Sequence, residues 1–496
     1  MTAFSLDPAR TAWCAELRTL AAEQLRPLAE KGEPGHVNRP LVAELGRLGL
    51  LARLFTSGAL DLCLMRESLA QTCTEAETAL ALQGLGAYPV HAYGTAAQRD
   101  RWLPGVRDGA LVAAFALSEP GAGSDAAALA LRAEPDRGAG VGSRVGERHG
   151  PEAAGSPVSA VLGPAAGSCP VTEAGGSPVG GSAGSYAAGS DGPDAEDPPI
   201  TEPPGSPTEV AGLDGLGEGR GPAVAGPGGP GAGDAPVAVP GAATLAEPDG
   251  SGRWRLTGEK CWISNAPEAD FYTVFARTTP GAGARGVTAF LVPADRPGLS
   301  GTPLDMLSPH PIGALAFDAV PVTADDVLGE PDRGFRVAMH TLNLFRPSVG
   351  AFAVGMAQAA LDATLAHTAG RDAFGGKLKD LQTVAHQVAE MALRTEAARL
   401  MVYAAAAAYD EGAPDVPERA AMAKLLATET AQYVVDAAVQ LHGARALSRG
   451  HLLEHLYREV RAPRIYEGAS EVQRAVIAKE LYRRTPTHPN SAVEAP

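Results

Sequence analysis

The spacing of apolar residues changes twice along this chain, and the order of those changes constrains the fold more than any other feature. From Thr11 to Gly109, in stretches such as LVAELGRLGLLARL, apolar residues recur every three or four positions among good helix formers. Residues 253–325 instead form short β-rich runs, such as FYTVFART and VTAFLV, separated by Gly, Pro or Asp. After Gly334 long helical patterns return, and helices that each need a partner for one apolar face indicate a bundle.

These patterns predict an α+β protein with three domains. We expect a helical domain over residues 1–112, a middle β domain with a small antiparallel sheet or barrel over 113–325, and a C-terminal helical bundle over 326–484. Residues 485–496 are expected to be a flexible tail.

Residues 134–244 follow none of these patterns, because Gly, Pro, Ala, Ser and acidic residues dominate and large apolar residues are few. Such a composition buries too little apolar surface to offset the entropy of ordering, so the segment is predicted to be mostly disordered. The flanking stretches DAAALALRAEPD and EPDGSGRWRLTGEK have the pattern of two strands of one hairpin. We therefore interpret 134–244 as an insertion into a surface turn, either a passive linker or a binding segment.

The net charge of −16 limits the classes of function. An acidic surface does not favour binding to the phosphate backbone of nucleic acids or to anionic membranes. The sequence shows no secretory signal pattern and no run of about 18 apolar residues, so we expect a cytoplasmic protein without membrane insertion. The 5 cysteines lack metal-site spacing and are odd in number, which predicts neither a metal site nor a disulfide framework.

Two motifs flank the Gly- and Pro-rich segment, and each allows a structural and a functional interpretation. AFALSEPGAGSDAAA ends a strand with small residues whose N–H groups can approach a ligand, while Ser118 and Ser124 can donate hydrogen bonds. A tight turn without a ligand is the alternative. In LTGEKCWISNAPEADF, strand alternation places Trp262 and Ser264 on one face, so that a stacking surface lies beside a donor. A core tryptophan is the alternative.

The order SEPGAGSD, GEKCWISNA, RDAFGGKLKDLQ, QLHGARAL and IYEGASEVQR, within an α, β, α arrangement, resembles the acyl-CoA dehydrogenase family. The resemblance covers residues 11–484 except the insertion. It implies an N-terminal helical domain, a middle antiparallel β-barrel and a C-terminal four-helix bundle. It also implies a homo-oligomer, dimer or tetramer, with FAD between the β domain, the bundle and a neighbouring subunit.

The resemblance further implies which residues bind FAD. Two groups are expected, one around the flavin ring and the pyrophosphate, and a second in the C-terminal domain. In the second group Arg371 and Phe374 are expected to reach across the interface to the FAD of a neighbouring subunit, and the other members to lie around the adenosine half of FAD. The first group is Phe115, Leu117, Ser118, Gly123, Ser124, Trp262 and Ser264, and the second is Arg371, Phe374, Gln382, Gln440 and Gly443.

Glu467, in IYEGASEVQR, is the candidate catalytic residue. Taken alone, a glutamate is usually a solvated surface charge. The resemblance implies instead that it removes the α-proton of an acyl thioester while the β-hydride moves to the flavin. A carboxylate in an apolar pocket suits this task, because burial raises its pKa. Some relatives carry the base one residue before an arginine on the first bundle helix, where this chain has Phe345, so Glu467 has no competitor.

Four further residues are expected to contact the substrate, together with Ser124. Phe345 is interpreted as a wall of the acyl pocket and Arg346 as a supporting charge. Tyr466 and Gly468 flank the base, and Gly468 leaves room for the substrate to lie flat. Phe345 and a shortened GLLARLFTSGALDLCL loop favour a short or branched acyl group.

The leading hypothesis is α,β-dehydrogenation of an acyl-CoA to its trans-2-enoyl thioester, with electrons passing to an electron-transfer flavoprotein. An acyl carrier protein is an alternative carrier of the thioester. A flavin oxidase or monooxygenase on the same fold is a second alternative, although a monooxygenase has no need of an α-proton base. A non-catalytic scaffold is the third, and the presence of flavin-binding residues together with Glu467 speaks against it.

Overall fold

Helices form the first described part of the chain, strands form the middle and helices return afterwards, in the order that the apolar spacing predicts. The structure is a computed structural model, and it describes residues 6–136 and 252–484. The N-terminal helices are α1 (Pro8–Leu20), α2 (Arg26–Ala29), α3 (Arg39–Arg47), α4 (Leu50–Arg53), α5 (Ala59–Ala70), α6 (Thr74–Tyr93) and α7 (Ala96–Arg107).

Several of these helices begin where the sequence supplies acceptors for the free N–H groups of a first turn. The Asp7 side chain accepts a hydrogen bond from the backbone N–H of Arg10 at 2.8 Å, and Pro8 occupies the first turn of α1. Thr95 and Gln98 form a reciprocal capping box at the start of α7. Local sequence therefore fixes these helix starts.

The middle domain is a curled sheet, and its strand β4 is buried on both faces. Alternate β4 side chains point in opposite directions, so Phe271 and Phe275 join the core shared with the helices while Tyr272 and Val274 join the interior of the sheet. The strands are β1 (Ala113–Ala116), β2 (Arg132–Pro135), β3 (Arg253–Ser264), β4 (Phe271–Arg277), β5 (Val287–Pro293), β6 (Leu299–Pro303) and β7 (Ile312–Thr323).

Strand directions in this sheet differ in one respect from the expected antiparallel barrel. β3 pairs antiparallel with β2 and β7, as β4 does with β5, but Arg132 of β2 pairs parallel with Arg277 of β4, and β1 runs parallel to β4 along its length. A parallel pair needs a long crossover, and here the chain passes through β2 and β3 between the two paired strands. Apolar alternation gives the positions of strands and carries no information on their direction.

The two flanks of the Gly- and Pro-rich segment pair as predicted. β2 and β3 are antiparallel, with Arg132 opposite Thr257 and Pro135 opposite Trp254. The predicted boundary at residue 134 therefore falls inside β2. Residues 137–244 of the predicted insertion and the predicted tail 485–496 lie outside the described residues.

The C-terminal part consists of long helices, as predicted, and α8 is its central element. α8 packs against α5, α9 and α10, and α10 packs against α12. The two-residue strands β8 (Asp372–Ala373) and β9 (Gly376–Lys377) lie between α8 and α9. The helices are α8 (Gly334–Gly370), α9 (Gln382–Asp410), α10 (Val416–His442), α11 (Leu452–Glu459) and α12 (Ser470–Arg484).

In the part of the chain that the structure describes, α8 has the length and hydropathy that a membrane span would need. Polar residues such as Asn343 and Arg346 interrupt its apolar runs, so the helix contains no unbroken run of about 18 apolar residues. In the fold, 72% of its most apolar window is buried. This pattern also occurs in the core helix of a soluble protein.

Close packing of α5 on α8 brings polar groups from both helices together. Gly355 on α8 permits the approach, since a Cβ atom there would lie 2.5 Å from the backbone oxygen of Glu67 on α5. At the same contact Arg66 Nη1 lies 2.7 Å from Ser348 Oγ. The packing of two apolar helices thus positions a buried arginine.

Candidate active site

The turn that precedes α12 carries Glu467. Glu467 and Gly468 have positive φ angles of 52° and 98°, and such a conformation is uncommon and strained for a residue other than glycine. The Glu467 carbonyl accepts from Arg346 Nε at 3.2 Å and from Gln473 Nε2 at 3.1 Å. The Gly468 carbonyl accepts from Lys424 Nζ at 2.8 Å and Gln473 Nε2 at 2.9 Å. Helices α8, α10 and α12 thereby hold the strained turn.

Glu467 is half-buried, and one oxygen of its carboxylate is enclosed. Its Oε2 atom is buried and has no hydrogen-bond partner among the described residues. Burial raises the pKa of Glu467, as the sequence led us to expect, while the neighbouring cations Arg66, Lys424 and Arg346 oppose that rise. The surroundings are therefore more charged than the apolar pocket expected. A carboxylate here is basic enough to accept a proton and has cations close by that favour its anionic form.

Phe345 and Arg346 are adjacent on α8 and both are buried, with 1% and 7% exposure. The Phe345 ring packs edge-on against Tyr88, with ring centroids 6.2 Å apart. It also lies against Gly84 of α6, where an added Cβ would be 2.8 Å from the ring. Tyr466 stays 37% exposed. Phe345 thus closes the space towards α6, while Arg346 holds the turn.

The structure brings two of the predicted flavin-binding stretches side by side. The backbone N–H of Cys261 on β3 donates to the carbonyl of Ser118 at 3.0 Å, so Leu117 and Ser118 lie alongside β3. Trp262 is 48% exposed, with a φ of 57° at a register shift of β3, and Ser264 is half-buried. The two residues are on the less buried side of β3, as strand alternation predicts.

A buried ion pair connects the same two stretches. Lys260 Nζ lies 2.8 Å from Glu119 Oε1 and 2.9 Å from the carbonyl of Leu117. The Glu119 carboxylate also accepts the backbone N–H groups of Ala130 and Leu131 at 2.5 and 3.0 Å. Burial lowers the pKa of Lys260 to about 8 although Glu119 opposes the shift. This pair braces the loop that follows β1.

The other predicted residues of this first group differ in their surroundings. Phe115 is half-buried and packs against Phe275, with ring centroids 4.9 Å apart. Gly123 and Ser124 lie on an exposed loop, and a Cβ added to Gly123 would meet nothing within 4 Å. The loop therefore leaves open space beside it.

The second predicted group lies at one end of the C-terminal bundle and is exposed. The His367 and His442 rings stack with centroids 4.1 Å apart, so the ends of α8 and α10 are neighbours. Phe374, between β8 and β9, is 91% exposed. In the described residues, no hydrogen bond, ion pair or ring contact joins this group to the first one. Its members are Arg371, Phe374, Gln382, Gln440 and Gly443.

Sequence reasoning missed several charged and polar residues of the site. Arg66 and Lys424 each lie in a helical stretch in which most residues are apolar, LCLMRESLA and AAMAKLLATETA. A charge on a predicted buried face was the available signal, because such a charge needs a partner. The remaining missed residues are Glu77, which pairs with Arg66, Gln473 in the turn, and the Lys260–Glu119 pair.

Three models of one sequence family match this chain in order along its length. They are described as the N-terminal, middle and C-terminal domains of acyl-CoA dehydrogenase, and they match residues 8–110, 230–320 and 332–482. Together these matches span more than half of the chain.

Individual proteins are similar to parts of the chain or to its fold. The probable acyl-CoA dehydrogenase FadE25 of Mycobacterium tuberculosis is 40% identical over 243 residues, which cover 48% of this chain and 62% of that protein. The mitochondrial short-chain specific acyl-CoA dehydrogenase of Homo sapiens is 41% identical over 245 residues, or 49% of this chain and 59% of that protein. The matched segments thus span less than two thirds of these relatives.

A solved structure shows the same fold. Butyryl-CoA dehydrogenase from Megasphaera elsdenii superimposes with a TM-score of 0.70 at 24% identity, covering 97% of this chain and 100% of that one. At this identity the likeness concerns the fold alone.

Proposed function

Because this chain belongs to the acyl-CoA dehydrogenase family, we propose that it is an FAD-dependent oxidoreductase that converts an acyl thioester into the trans-2-enoyl thioester. The observation that carries the proposal is the buried carboxylate oxygen of Glu467, which lacks a hydrogen-bond partner among the described residues. Glu418 and Glu459 also have one buried oxygen without such a partner, but each is held by an ion pair, to Arg484 and His310, whereas Glu467 makes no ion pair with the described residues. A base that receives a proton from a substrate carbon needs a free oxygen.

Two groups of Glu467, its side-chain carboxylate and its backbone N–H, take part in the proposed reaction. Its carboxylate takes the α-proton while the electron pair of that C–H bond forms the α,β double bond and the β-hydrogen departs as hydride. FAD, when bound, supplies the acceptor for that hydride. The backbone N–H of Glu467 makes no hydrogen bond to the described residues, so it is available to donate to the thioester oxygen and stabilise the developing charge.

The surroundings of Trp262 fit a planar aromatic cofactor. Trp262 exposes 48% of its surface, and an exposed indole beside half-buried Ser264 offers stacking area next to a hydrogen-bond donor. The open space at Gly123 fits a phosphate approached by backbone N–H groups. We infer that the flavin is held by Phe115, Leu117, Ser118, Trp262 and Ser264, and the pyrophosphate by Gly123 and Ser124.

The second group of predicted FAD contacts is exposed at the end of the bundle, so we infer that it completes the site of a neighbouring subunit. The group is Arg371, Phe374, Gln382, Gln440 and Gly443. This arrangement requires a homo-oligomer. An apolar stripe on α9 supports the assembly, because Leu393, Ala397, Met401 and Ala404 recur at helical spacing, with Leu393 65% and Met401 37% exposed.

The acyl group of the substrate is inferred to be short or branched. Phe345 fills the space between α8 and α6 against Gly84 and Tyr88, and the adjacent Arg346 binds the Glu467 carbonyl, so we infer that Phe345 limits the length of the acyl group. The human relative's name, short-chain specific, agrees with this inference. Coenzyme A is the proposed carrier, with an acyl carrier protein as the alternative, and an electron-transfer flavoprotein is the proposed electron acceptor.

The test is anaerobic titration of FAD-loaded protein with short, branched and medium-chain acyl-CoA thioesters, followed at the flavin absorbance band. Wild type is expected to bleach with at least one thioester. Glu467→Gln should retain FAD and bleach at least about 100-fold more slowly, because an amide cannot accept the α-proton. Glu16→Gln removes an exposed carboxylate on α1 and should behave as wild type.

Each other outcome contradicts a defined part of the proposal. Bound FAD without bleaching by any thioester would exclude acyl-CoA as the substrate and direct the search to carrier-protein thioesters. Bleaching by Glu467→Gln at the wild-type rate would exclude Glu467 as the base. Failure to bind FAD at all would favour the scaffold alternative, and rapid reoxidation of the bleached flavin by air would favour an oxidase.

A further inference from the structure

A second buried charge pair lies next to the candidate base. Arg66 on α5 and Glu77 on α6 form an ion pair between Nε and Oε1, and the residues are 3% and 0% exposed. Arg66 Nη1 also donates to Ser348 Oγ at 2.7 Å, and Ser348 Oγ donates to the carbonyl of Phe345 at 2.7 Å. Three helices thus fix the position of this guanidinium.

Retaining such a pair in the core needs an explanation other than stability. Moving two charges out of water costs several kcal/mol per ion, so replacing a buried pair by apolar residues is often neutral or stabilising. Arg66 also uses only some of its hydrogen-bond donors, since no hydrogen bond to the described residues involves its Nη2 atom. The guanidinium therefore keeps its Nη2 donors unused by the described residues.

The helix that binds Arg66 also binds the turn of the base. Ser348, which holds Arg66, lies two residues after Arg346, which donates to the Glu467 carbonyl at 3.2 Å. Arg66 is close enough to Tyr466 and Glu467 for both to raise its pKa, after the larger contributions of burial, which opposes the rise, and Glu77. Arg66 is likewise the foremost of the three cations that favour the Glu467 anion.

Arg66 acts on the base differently from the other two cations. Arg346 and Lys424 donate hydrogen bonds to the backbone carbonyls of the turn, so their contribution includes the turn conformation itself. Arg66 makes no hydrogen bond to the described atoms of the turn, and its effect on Glu467 is electrostatic.

We propose that Arg66 is a positioning residue for the base, held by Glu77 and Ser348 so that its charge orients the Glu467 carboxylate and keeps it anionic before the substrate arrives. The inference rests on the proposed function. The charged groups facing the turn are Arg66 from α5, Glu77 from α6, Arg346 from α8, Lys424 from α10 and Glu459 from α11, with Tyr466 in the turn itself. His310, in the loop between β6 and β7, faces Glu77 and Glu459.

The experiment compares the pH dependence of kcat/KM for the best thioester in three variants. Arg66→Met with Glu77→Gln removes both charges, leaves no buried charge unpaired and approximately keeps side-chain volume. Without the cation, protonation of the base becomes easier, so the acidic limb of the profile should move about one pH unit or more to higher pH. The value of kcat/KM should then fall at least about tenfold at low pH and only slightly at high pH.

Glu77→Gln alone should give a shift of opposite sign, because it leaves the cation and removes its neutralising partner. The acidic limb is expected to move to lower pH. Arg66→Lys keeps a cation and should restore a profile close to wild type. A residue that merely supported the fold would lower activity at every pH and would not produce shifts of opposite sign.

The matched control is a neighbouring ion pair that joins α5 to α9. Glu67 accepts Arg399 Nε at 2.8 Å and lies next to Arg66 in the chain. Arg399→Met with Glu67→Gln removes this pair and should leave the pH profile unchanged.

Two different failures can be told apart. If Glu467→Gln is as active as wild type, the proposed function fails. If Glu467 is essential but the acidic limb stays in place in both the Arg66→Met, Glu77→Gln double variant and Glu77→Gln, only the role of Arg66 is overturned. Should one of these two variants fail to fold, the direction of the shift in the other decides the inference by itself.

Discussion

At the scale of single residues, the turn at Glu467 and Gly468 places the proposed base on a strained backbone. A glutamate with positive φ persists only where its surroundings hold it, and here three side chains bind the two carbonyls of the turn. Gln473, which donates to both carbonyls, is fully buried. The strained turn therefore carries the residue whose carboxylate oxygen is enclosed without a hydrogen-bond partner among the described residues.

We expect Gly468→Ala to damage this turn. Alanine is disfavoured at a φ of 98°, and its Cβ would collide with the Gln473 amide that holds both carbonyls. The free energy of unfolding should fall by about 1–3 kcal/mol, and the rate of flavin bleaching should fall with it. Chemical denaturation and anaerobic stopped-flow measure the two effects.

Gly370→Ala is the control for that substitution, because its Cβ would meet nothing within 4 Å at the end of α8. It should leave both quantities within about 0.5 kcal/mol and twofold of wild type. Equal behaviour of the two variants would contradict the role given to the turn.

At the scale of elements, the contact between β3 and the loop after β1 organises the proposed flavin side of the site. A single buried ammonium, Lys260 Nζ, binds Glu119 and the carbonyl of Leu117, and Glu119 in turn binds two backbone N–H groups. Each of these buried polar groups thus has a partner. Loss of one member leaves the others unsatisfied.

Lys260→Met is therefore expected to destabilise the protein by roughly 3–5 kcal/mol, because Glu119 would remain buried without its cation. The variant should also bind FAD more weakly, since Leu117 and Ser118 lose their brace. Thermal unfolding and FAD titration by fluorescence test both expectations.

Arg255→Met on the same strand is the matched control, as it removes an exposed ion pair to Asp136. Its cost should be about 0–1 kcal/mol. If Lys260→Met costs no more than Arg255→Met, the buried pair does not brace the loop.

At the scale of the whole described unit, one ion pair joins the middle sheet to the C-terminal helices. His310, in the loop between β6 and β7, lies 2.6 Å from Glu459 of α11, and the side chains are 13% and 1% exposed. Burial lowers the pKa of His310, but the Glu459 carboxylate outweighs that effect and raises the pKa above its usual value. The folded state therefore favours the protonated histidine.

This contact should make stability depend on pH. Because the folded pKa is raised, the stabilisation is full below the unfolded value of about 6.5 and is lost as pH rises through the folded value. His310→Gln should cost about 3 kcal/mol at pH 5.5 and clearly less at pH 9. Urea unfolding of both proteins at the two pH values gives the difference.

His386→Gln on α9 provides the control, because His386 is exposed and makes no ion pair with the described residues. Its effect should be small and independent of pH. A cost for His310→Gln that does not change between pH 5.5 and 9 would show that the contact is not an ion pair.

Much of the architecture follows from local sequence. Apolar residues every three or four positions predicted the helices, and apolar residues at alternate positions predicted the strands, both in the right order. The reason is that apolar side chains must share one face of each element. The family was evident from short motifs, and IYEGASEVQR marked Glu467 as the candidate base. The burial that raises the pKa of this residue was also expected, since the proposed reaction requires it.

Only the tertiary structure decided which distant groups meet. The parallel pairing of β1 with β4 depends on a crossover through two other strands, and no local pattern encodes it. The cations around Glu467 come from α5, α8 and α10, and each looks like an isolated charge in its own helix. Their meeting depends on how closely those helices pack, as at Gly355, and packing distance depends on all the side chains between them.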